Sequence, residues 1–178
     1  MGGWFILSAI GRDRPGLVAD LAKLIYDCDA NLEDSRMTIL GTEFAVILLC
    51  SSTAANASDR LGAGVKRLER DLGLMILLRE LAEGPRPPVP APGSLLHRLT
   101  VAGEDRAGIV ASVCRALAER GINIADLSTR SLPGPGGSPH YQMTMAIEVP
   151  ERLDVGDLRR VLDELADRLV IDLALERL

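Results

Sequence analysis

The spacing of apolar residues predicts four strands and two helices in the first half of the chain. Short apolar runs bounded by turn-forming residues predict strands at residues 4–10, 30–40, 44–50 and 74–81. Helical spacing predicts two amphipathic helices, one burying Leu17, Leu21, Leu24 and Cys28 and the other Leu61, Val65, Leu68 and Leu72. Gly62 and Gly64 weaken the second helix by about 1 kcal/mol each relative to Ala. The order is βαββαβ, with an antiparallel hairpin at the short turn 41–43.

The second half of the chain repeats this order. Strands are predicted at residues 95–102, 122–131, 143–149 and 170–175. The buried faces of its two helices carry Ile109, Val113 and Leu117, and Leu158, Val161, Leu162 and Leu165. Asp154 is placed to cap the later helix, with Asp157 in its first turn. Residues 133–139 are a Gly/Pro-rich insertion in the hairpin turn, which fits either a loop that contacts a partner or ligand or a tolerated surface insertion.

A repeated phrase shows that the two halves are copies of one unit. Gly11–Ala19 returns as Gly103–Ala111 at a constant shift of 92 positions, and eight of the 24 positions from Gly11 to Asp34 are identical to their counterparts. Two copies at this long period indicate a duplicated domain rather than a solenoid. The predicted domains are residues 1–83 and 95–178. Units this small are marginally stable alone, so we expect them to pack on each other or on a second chain.

Residues 84–94 join the two predicted domains and are rich in proline, with five prolines between residues 84 and 93. Because proline restricts φ and lacks an amide donor, this stretch favours an extended, semi-rigid polyproline II spacer. A proline-rich ligand for another protein domain is the alternative. Its position between the two copies favours the linker.

Charge and cysteine content narrow the classes of function. The net charge is −5, and no basic stretch supplies the footprint that nucleic-acid binding requires, so we expect no direct contact with DNA. The three cysteines lack metal-ligand spacing and are expected to be small buried thiols. The residues after Met1 lack the pattern of a signal peptide and no apolar run reaches about 18 residues, so we expect no signal peptide and no membrane span, and a reducing cytoplasm fits best.

The repeated glycine loops are the candidate chemistry. Glycines let a ligand approach the backbone, and the helix that follows offers free N–H groups that suit a carboxylate. An Asn amide at the start of the next strand both donates and accepts, so loop and Asn together could hold both ends of an amino acid. The candidate ligand-binding residues are Gly11, Asp13, Arg14, Pro15, Gly16, Leu17, Val18 and Asn31 in the first copy, and Gly103, Asp105, Arg106, Gly108, Ile109, Val110 and Asn123 in the second.

The same residues also have ordinary structural interpretations. Asp13 and Asp105 are potential helix caps, and Gly16 and Gly108 are potential turn residues. Asn31 and Asn123 could take a left-handed conformation before a strand. These alternatives stay open at the level of the sequence.

An enzyme is not expected. The chain has no phosphate-binding GxxxxGK[ST] loop and no GxGxxG after a strand. His97 and His140 are expected to be surface residues, and Cys114 has no neighbouring base in the sequence. We therefore predict no catalytic residue, metal ligand or cofactor, and the weak alternative is an enzyme that uses His140.

The motifs resemble those of ACT domains. In the first copy these are Asp13-Arg14-Pro15-Gly16, Asn31, Asp34-Ser35 and Gly41-Thr42-Glu43-Phe44. The tandem arrangement is similar to the glycine cleavage system transcriptional repressor family of double-ACT proteins. The second copy has Ala107 in place of the proline and the insertion before Tyr141. If only one copy binds ligand, we expect it to be the first.

The resemblance implies an α+β fold of two ferredoxin-like βαββαβ domains, each an antiparallel sheet with helices on one face. It also implies that the domains pair side by side through their sheets and bind amino acids near the first loop. Members of this repressor family are thought to act by binding an activator protein rather than DNA, which agrees with the acidic charge.

Two hypotheses of function follow. The first is a non-enzymatic cytoplasmic regulator, expected to be a homodimer, that binds a small amino acid such as glycine and modulates a protein partner, with a transcriptional activator as the candidate partner. The second is a ligand-free interaction module that pairs through its sheets. Ala45, Ile47 and Leu49 favour the second, because they make both faces of one strand apolar where a solvated face should be polar.

Overall fold

The computed structural model describes residues 3–85, 90–133 and 139–178, and the chain divides into two compact units, Met1–Arg86 and Pro87–Leu178. Residues 86–89 belong to the predicted linker and residues 134–138 to the predicted hairpin insertion, so these parts of the two predictions lie outside the described residues. Each unit has its own hydrophobic core.

The first unit has the predicted order of elements. They are β1 (Gly3–Arg12), α1 (Leu17–Asp27), β2 (Asn31–Leu40), β3 (Glu43–Ser52), α2 (Ala57–Leu72) and β4 (Met75–Leu81). The four strands form one antiparallel sheet in the order β2-β3-β1-β4, with β2 and β3 joined as the predicted hairpin. A ferredoxin-like unit is therefore confirmed in the first half.

The second unit repeats this topology. Its elements are β5 (Ser94–Glu104), α3 (Ile109–Ala118), β6 (Asn123–Pro133), β7 (Pro139–Pro150), α4 (Val155–Leu169) and β8 (Ile171–Arg177). The strand order is β6-β7-β5-β8. Asp154 caps α4 as predicted, because its side chain accepts a hydrogen bond of 2.7 Å from the backbone N–H of Gly156.

Alternation along β1 decides which face of the first sheet the helices cover. Phe5, Leu7 and Ala9 are buried, and the residues between them point to the opposite face. Leu21 of α1 and Leu61 of α2 belong to the same core as these three residues. The helices therefore cover one face of the sheet, as predicted, and no helix from the described residues of this unit lies on the other face.

β2 forms one of the two edges of the first sheet. It pairs with β3 on one side, and all ten of its residues are exposed. A β-bulge between Leu32 and Asp34 leaves Glu33 without a partner in the register. An exposed edge of this length can pair with a strand of another molecule.

Candidate functional site

The glycine loop of each unit ends in a left-handed residue. Gly16 precedes α1 with φ 96° and Gly108 precedes α3 with the same φ of 96°. A side chain is strained in this conformation, so glycine is favoured at both positions. The turn role considered for these two glycines is confirmed.

The helix starts have no side-chain cap, so the cap prediction for the two loop aspartates is wrong. α1 and α3 begin after glycine, with no side-chain hydrogen bond at either N-cap position among the described residues. The backbone N–H of Asp13 instead donates to the carbonyl of Thr42 at 2.9 Å, and that of Asp105 to Pro139 at 3.0 Å. Each aspartate thus fastens its loop to the neighbouring hairpin and leaves the first helical N–H groups to other acceptors.

The first glycine of each loop is required for packing. A Cβ on Gly11 would lie 2.6 Å from Leu74 Cδ2, and a Cβ on Gly103 would lie 2.9 Å from Ile171 Cγ2. Both distances are shorter than real Cβ contacts allow. Close strand packing therefore accounts for these two candidates without a ligand.

The remaining loop residues divide into core and surface. Leu17 and Ile109 are buried, so their side chains contribute to the core, and only their backbone N–H groups remain available to a ligand. Val18 and Val110 are exposed beside the loops. The two valines are therefore the apolar candidates that can contact a bound molecule.

The loop arginines are held by acidic neighbours. Arg14 pairs with Asp20 at 3.3 Å and Arg106 pairs with Glu104 at 2.6 Å. The Arg14 guanidinium also donates to the carbonyl oxygen of Pro15 at 3.3 Å. These exposed pairs add little stability, and each arginine charge beside a helix N-terminus is balanced by a carboxylate.

Asn31 and Asn123 lie at the opposite end of the sheet from the loops, so the predicted pocket is wrong as a site within one unit. Asn31 pairs with Ser51, which pairs with Trp4, whereas the loop begins after Arg12 at the other end of β1. Eight residues of β1 separate these rows, or about 26 Å at 3.3 Å per residue. Asn123 is placed in the same way in the second unit.

Each of these asparagines donates its side-chain amide to a carboxylate. Asn31 Nδ2 donates to Glu33 Oε1 at 3.0 Å, and Asn123 Nδ2 donates to the buried Glu148 at 3.1 Å. Ser51 Oγ also donates to Glu33 at 2.5 Å. Hydrogen bonds from Ser51 and then Asn31 lower the pKa of Glu33, which favours its charged form. Neither asparagine is left-handed, so that structural alternative is wrong as well.

An open cleft of about 560 Å³ lies beside Asn31. It is lined by Tyr26, Asp27, Asp29, Ala30, Asn31, Ser51, Ser52 and Thr53. The volume exceeds what a small amino acid needs. Sequence reasoning found Asn31 but missed Glu33 and Ser51, because only the strand register and the β-bulge place them beside it.

The histidines and cysteines show no catalytic arrangement in the described residues. His97 is buried in β5, with Nδ1 3.3 Å from the carbonyl oxygen of Leu95, so its prediction as a surface residue is wrong. Cys28 and Cys50 are buried as predicted, and burial raises the pKa of the Cys50 thiol to about 11. Cys114 is half-buried, and burial raises its pKa also. In the same residues no three potential ligands come together for a metal ion.

Comparison with known proteins identifies the domain type of both units. Models of the ACT domain match residues 4–78 and residues 97–170. The chain is 28% identical, over 93% of its length and 85% of the other protein, to the glycine cleavage system transcriptional repressor of Escherichia coli, and equally to that of Shigella flexneri. These matches confirm the predicted tandem of ACT domains.

A solved structure also matches the whole chain. It is an unknown protein from Galdieria sulphuraria, with a TM-score of 0.81, 30% identity, and coverage of 100% of this chain and 99% of that one. The named relatives are regulators, which agrees with the prediction that the chain is not an enzyme. Within the described part of the chain, every helix is too short or too polar to cross a membrane.

Proposed function

The chain belongs to the ACT domain family, with two ACT domains in tandem, and on this premise we propose that it is a cytoplasmic regulator that binds a small amino acid. Binding changes its contact with a protein partner, and a transcriptional regulator of amino-acid metabolism is the class of partner proposed. The name of the Escherichia coli relative supports this class. The net charge of −5 supports action through a protein rather than on DNA.

The observation that carries the proposal is the uncapped helix start after a left-handed glycine. Gly16 and Gly108 both open a helix whose first N–H groups receive no side-chain cap. Such a terminus carries a partial positive charge and unpaired donors, which suit the carboxylate of an amino acid. In the first unit Arg14 lies beside this position, paired with Asp20.

The separation of Asn31 from the loop favours a site shared by two copies. Antiparallel pairing of two β2 edges would bring the Leu40 end of one copy beside the Asn31 end of its partner. The loop reaches that same end of β2, because Asp13 donates to Thr42 in the β2–β3 turn. A homodimer of this kind would complete one pocket from the loop of one copy and Asn31 of the other.

The two ends of this shared pocket match the carboxylate and the ammonium group of an amino acid. The backbone N–H groups at the helix N-terminus donate hydrogen bonds to the carboxylate. Near Asn31, the Glu33 carboxylate and the amide oxygen are acceptors, because the Asn31 amide nitrogen is engaged with Glu33. Two oxygens of this kind suit an ammonium group.

Isothermal titration of the full chain with glycine, serine and other small amino acids tests the proposal. We expect binding at millimolar concentration or below. Asn31→Ala should weaken it by about tenfold or more, because a hydrogen bond to a charged group is lost. Asn123→Ala is the matched control and should have the smaller effect, since the first copy keeps Pro15 and the short hairpin turn. If none of these amino acids binds at millimolar concentration, the sensor function is excluded.

The second candidate function is a ligand-free interaction module. It is favoured by one observation, which is that Ile47 on the helix-free face of the first sheet is 53% exposed. Association of a chain that binds none of the amino acids tested would support this function over the sensor. A protein that stays monomeric at every concentration would exclude it.

A further inference from the structure

The helix-free face of the first sheet is apolar. Its exposed members are Ile10 on β1, Ile47 on β3, and Met75 and Leu77 on β4, with exposed fractions of 52%, 53%, 73% and 66%. The register sets them side by side, because Ile10 pairs with Met75, and Ser8 pairs with both Ile47 and Leu77. A contiguous apolar patch of this kind on a folded domain marks an interaction site.

The second unit provides an internal comparison. At the positions that correspond to Ile10 and Met75 it has Ala102 and Asp172, which are partners in the register of β5 and β8. At the positions of Ile47 and Leu77 it has Thr144 and Ala174, which both pair with Thr100. The same fold is therefore stable with a small and polar helix-free face. The first unit therefore does not need an apolar helix-free face in order to fold.

We propose that this face binds the same face of a second copy, so that two first-unit sheets stack on each other. Sheets that pack face to face lie about 10 Å apart with their strands nearly aligned. Four strands and four residue rows give a footprint of about 500 Å² per copy. The total of about 1,000 Å² reaches the lower limit for a specific interface, so the association should be reversible.

Charges at the borders of the face suit a second copy as the occupant. One row of the register runs from Asp34 on β2 through Leu49 and Ile6 to Arg79 on β4. A two-fold axis parallel to the strands places the β2 border of one copy over the β4 border of its partner. Asp34 then faces Arg79 of the partner subunit in both directions, and Leu49 and Ile6 face each other between them.

A two-fold axis perpendicular to the strands is the other aligned arrangement, and it would place the two β2 strands over each other. Asp34 would then face Arg36 of the partner subunit if the axis passed between their two rows. Only the axis parallel to the strands pairs Asp34 with Arg79 of the partner subunit, so a charge exchange between these two positions distinguishes the arrangements.

Sedimentation velocity of the full chain over a range of concentrations tests the apolar part of the interface. We expect reversible self-association that Ile47→Asp weakens by about tenfold or more, because a charge replaces an exposed apolar contact on the inner strand β3. Thr144→Asp is the matched control at the corresponding exposed position of the second unit and should leave association unchanged. Circular dichroism checks that both variants are folded. Equal association in the wild type and Ile47→Asp would overturn the proposal, as would a wild type that is monomeric at about 100 µM.

A charge exchange tests the orientation. Asp34→Arg and Arg79→Asp should each weaken association, and the double variant should restore it, because the pair is re-formed with its charges reversed. Loss without recovery in the double variant would overturn the proposed axis. Asp34 lies on β2, so the charge exchange also alters the edge that the amino-acid site uses. Ile47 lies on β3, and Ile47→Asp is therefore expected to retain amino-acid binding, so that a failure of either proposal can be recognised without the other.

Discussion

Gly11, near the end of β1, and Gly16, just before α1, serve different purposes. Gly16 has φ 96°, which a side chain tolerates poorly. Gly11 lies in β1, where a Cβ would meet Leu74. The repeat in the sequence singled out both glycines equally, because both recur in the second copy. Only the strand register separates the backbone requirement at Gly16 from the packing requirement at Gly11.

Replacing Gly16 with alanine tests the backbone requirement. The Cβ would contact little besides the Arg14 side chain, so the cost comes from the left-handed conformation. We expect Gly16→Ala to lower the free energy of unfolding by about 1 to 2 kcal/mol in urea denaturation. Gly108→Ala should cost the same in the second unit, because its φ is identical. Unchanged stability in both variants would show that the loops adopt another conformation in solution.

The aspartates show why capping is hard to predict from residue type. Asp154 caps α4, as its spacing before the helix predicts. Asp13 does not cap α1, because the helix begins at Leu17 and the N-cap position is Gly16. A cap must precede its helix directly. Sequence patterns leave helix starts uncertain by a few residues, which is enough to reverse this conclusion.

At the scale of elements, the two glycines of α2 have unequal roles. A Cβ on Gly64 would lie 2.1 Å from Leu24 Cδ1 of α1, whereas a Cβ on Gly62 would contact nothing within 4 Å. The sequence predicted that both weaken the helix equally. Gly64 instead allows α1 and α2 to approach closely, and this depends on a contact between elements that helix propensity does not describe.

Alanine at each of these positions should therefore give opposite results. Gly64→Ala should lower the free energy of unfolding by about 1 to 3 kcal/mol, because the added methyl group overpacks the contact with Leu24. Gly62→Ala should raise it by about 0.5 to 1 kcal/mol, since alanine favours the helix and meets no neighbour. Thermal or urea denaturation of both variants makes the comparison. A stabilised Gly64→Ala protein would contradict the close packing of the two helices.

At the scale of the whole molecule, the sequence predicted the duplication, the order of elements and the domain type, because hydrophobic spacing and the repeated loop determine them. It misplaced Asn31 relative to the loop. The order β1, α1, β2 already contains the reason, since α1 returns the chain to the starting end of the sheet before β2 begins. The edge role of β2 could not be predicted, because its alternating apolar residues resemble those of a half-buried strand.

The two separate hydrophobic cores lead to a final prediction about how the whole chain unfolds. Leu7 and Leu99 occupy the same position in the two copies and are both fully buried. Leu→Ala at either position should cost about 2 to 5 kcal/mol. The single tryptophan, Trp4, reports on the first unit, so Leu7→Ala should shift the fluorescence transition in urea. Leu99→Ala should leave the Trp4 transition in place and shift only part of the circular dichroism transition, because both units contribute to the circular dichroism signal. An equal shift of the Trp4 signal in both variants would show that the two cores unfold as one.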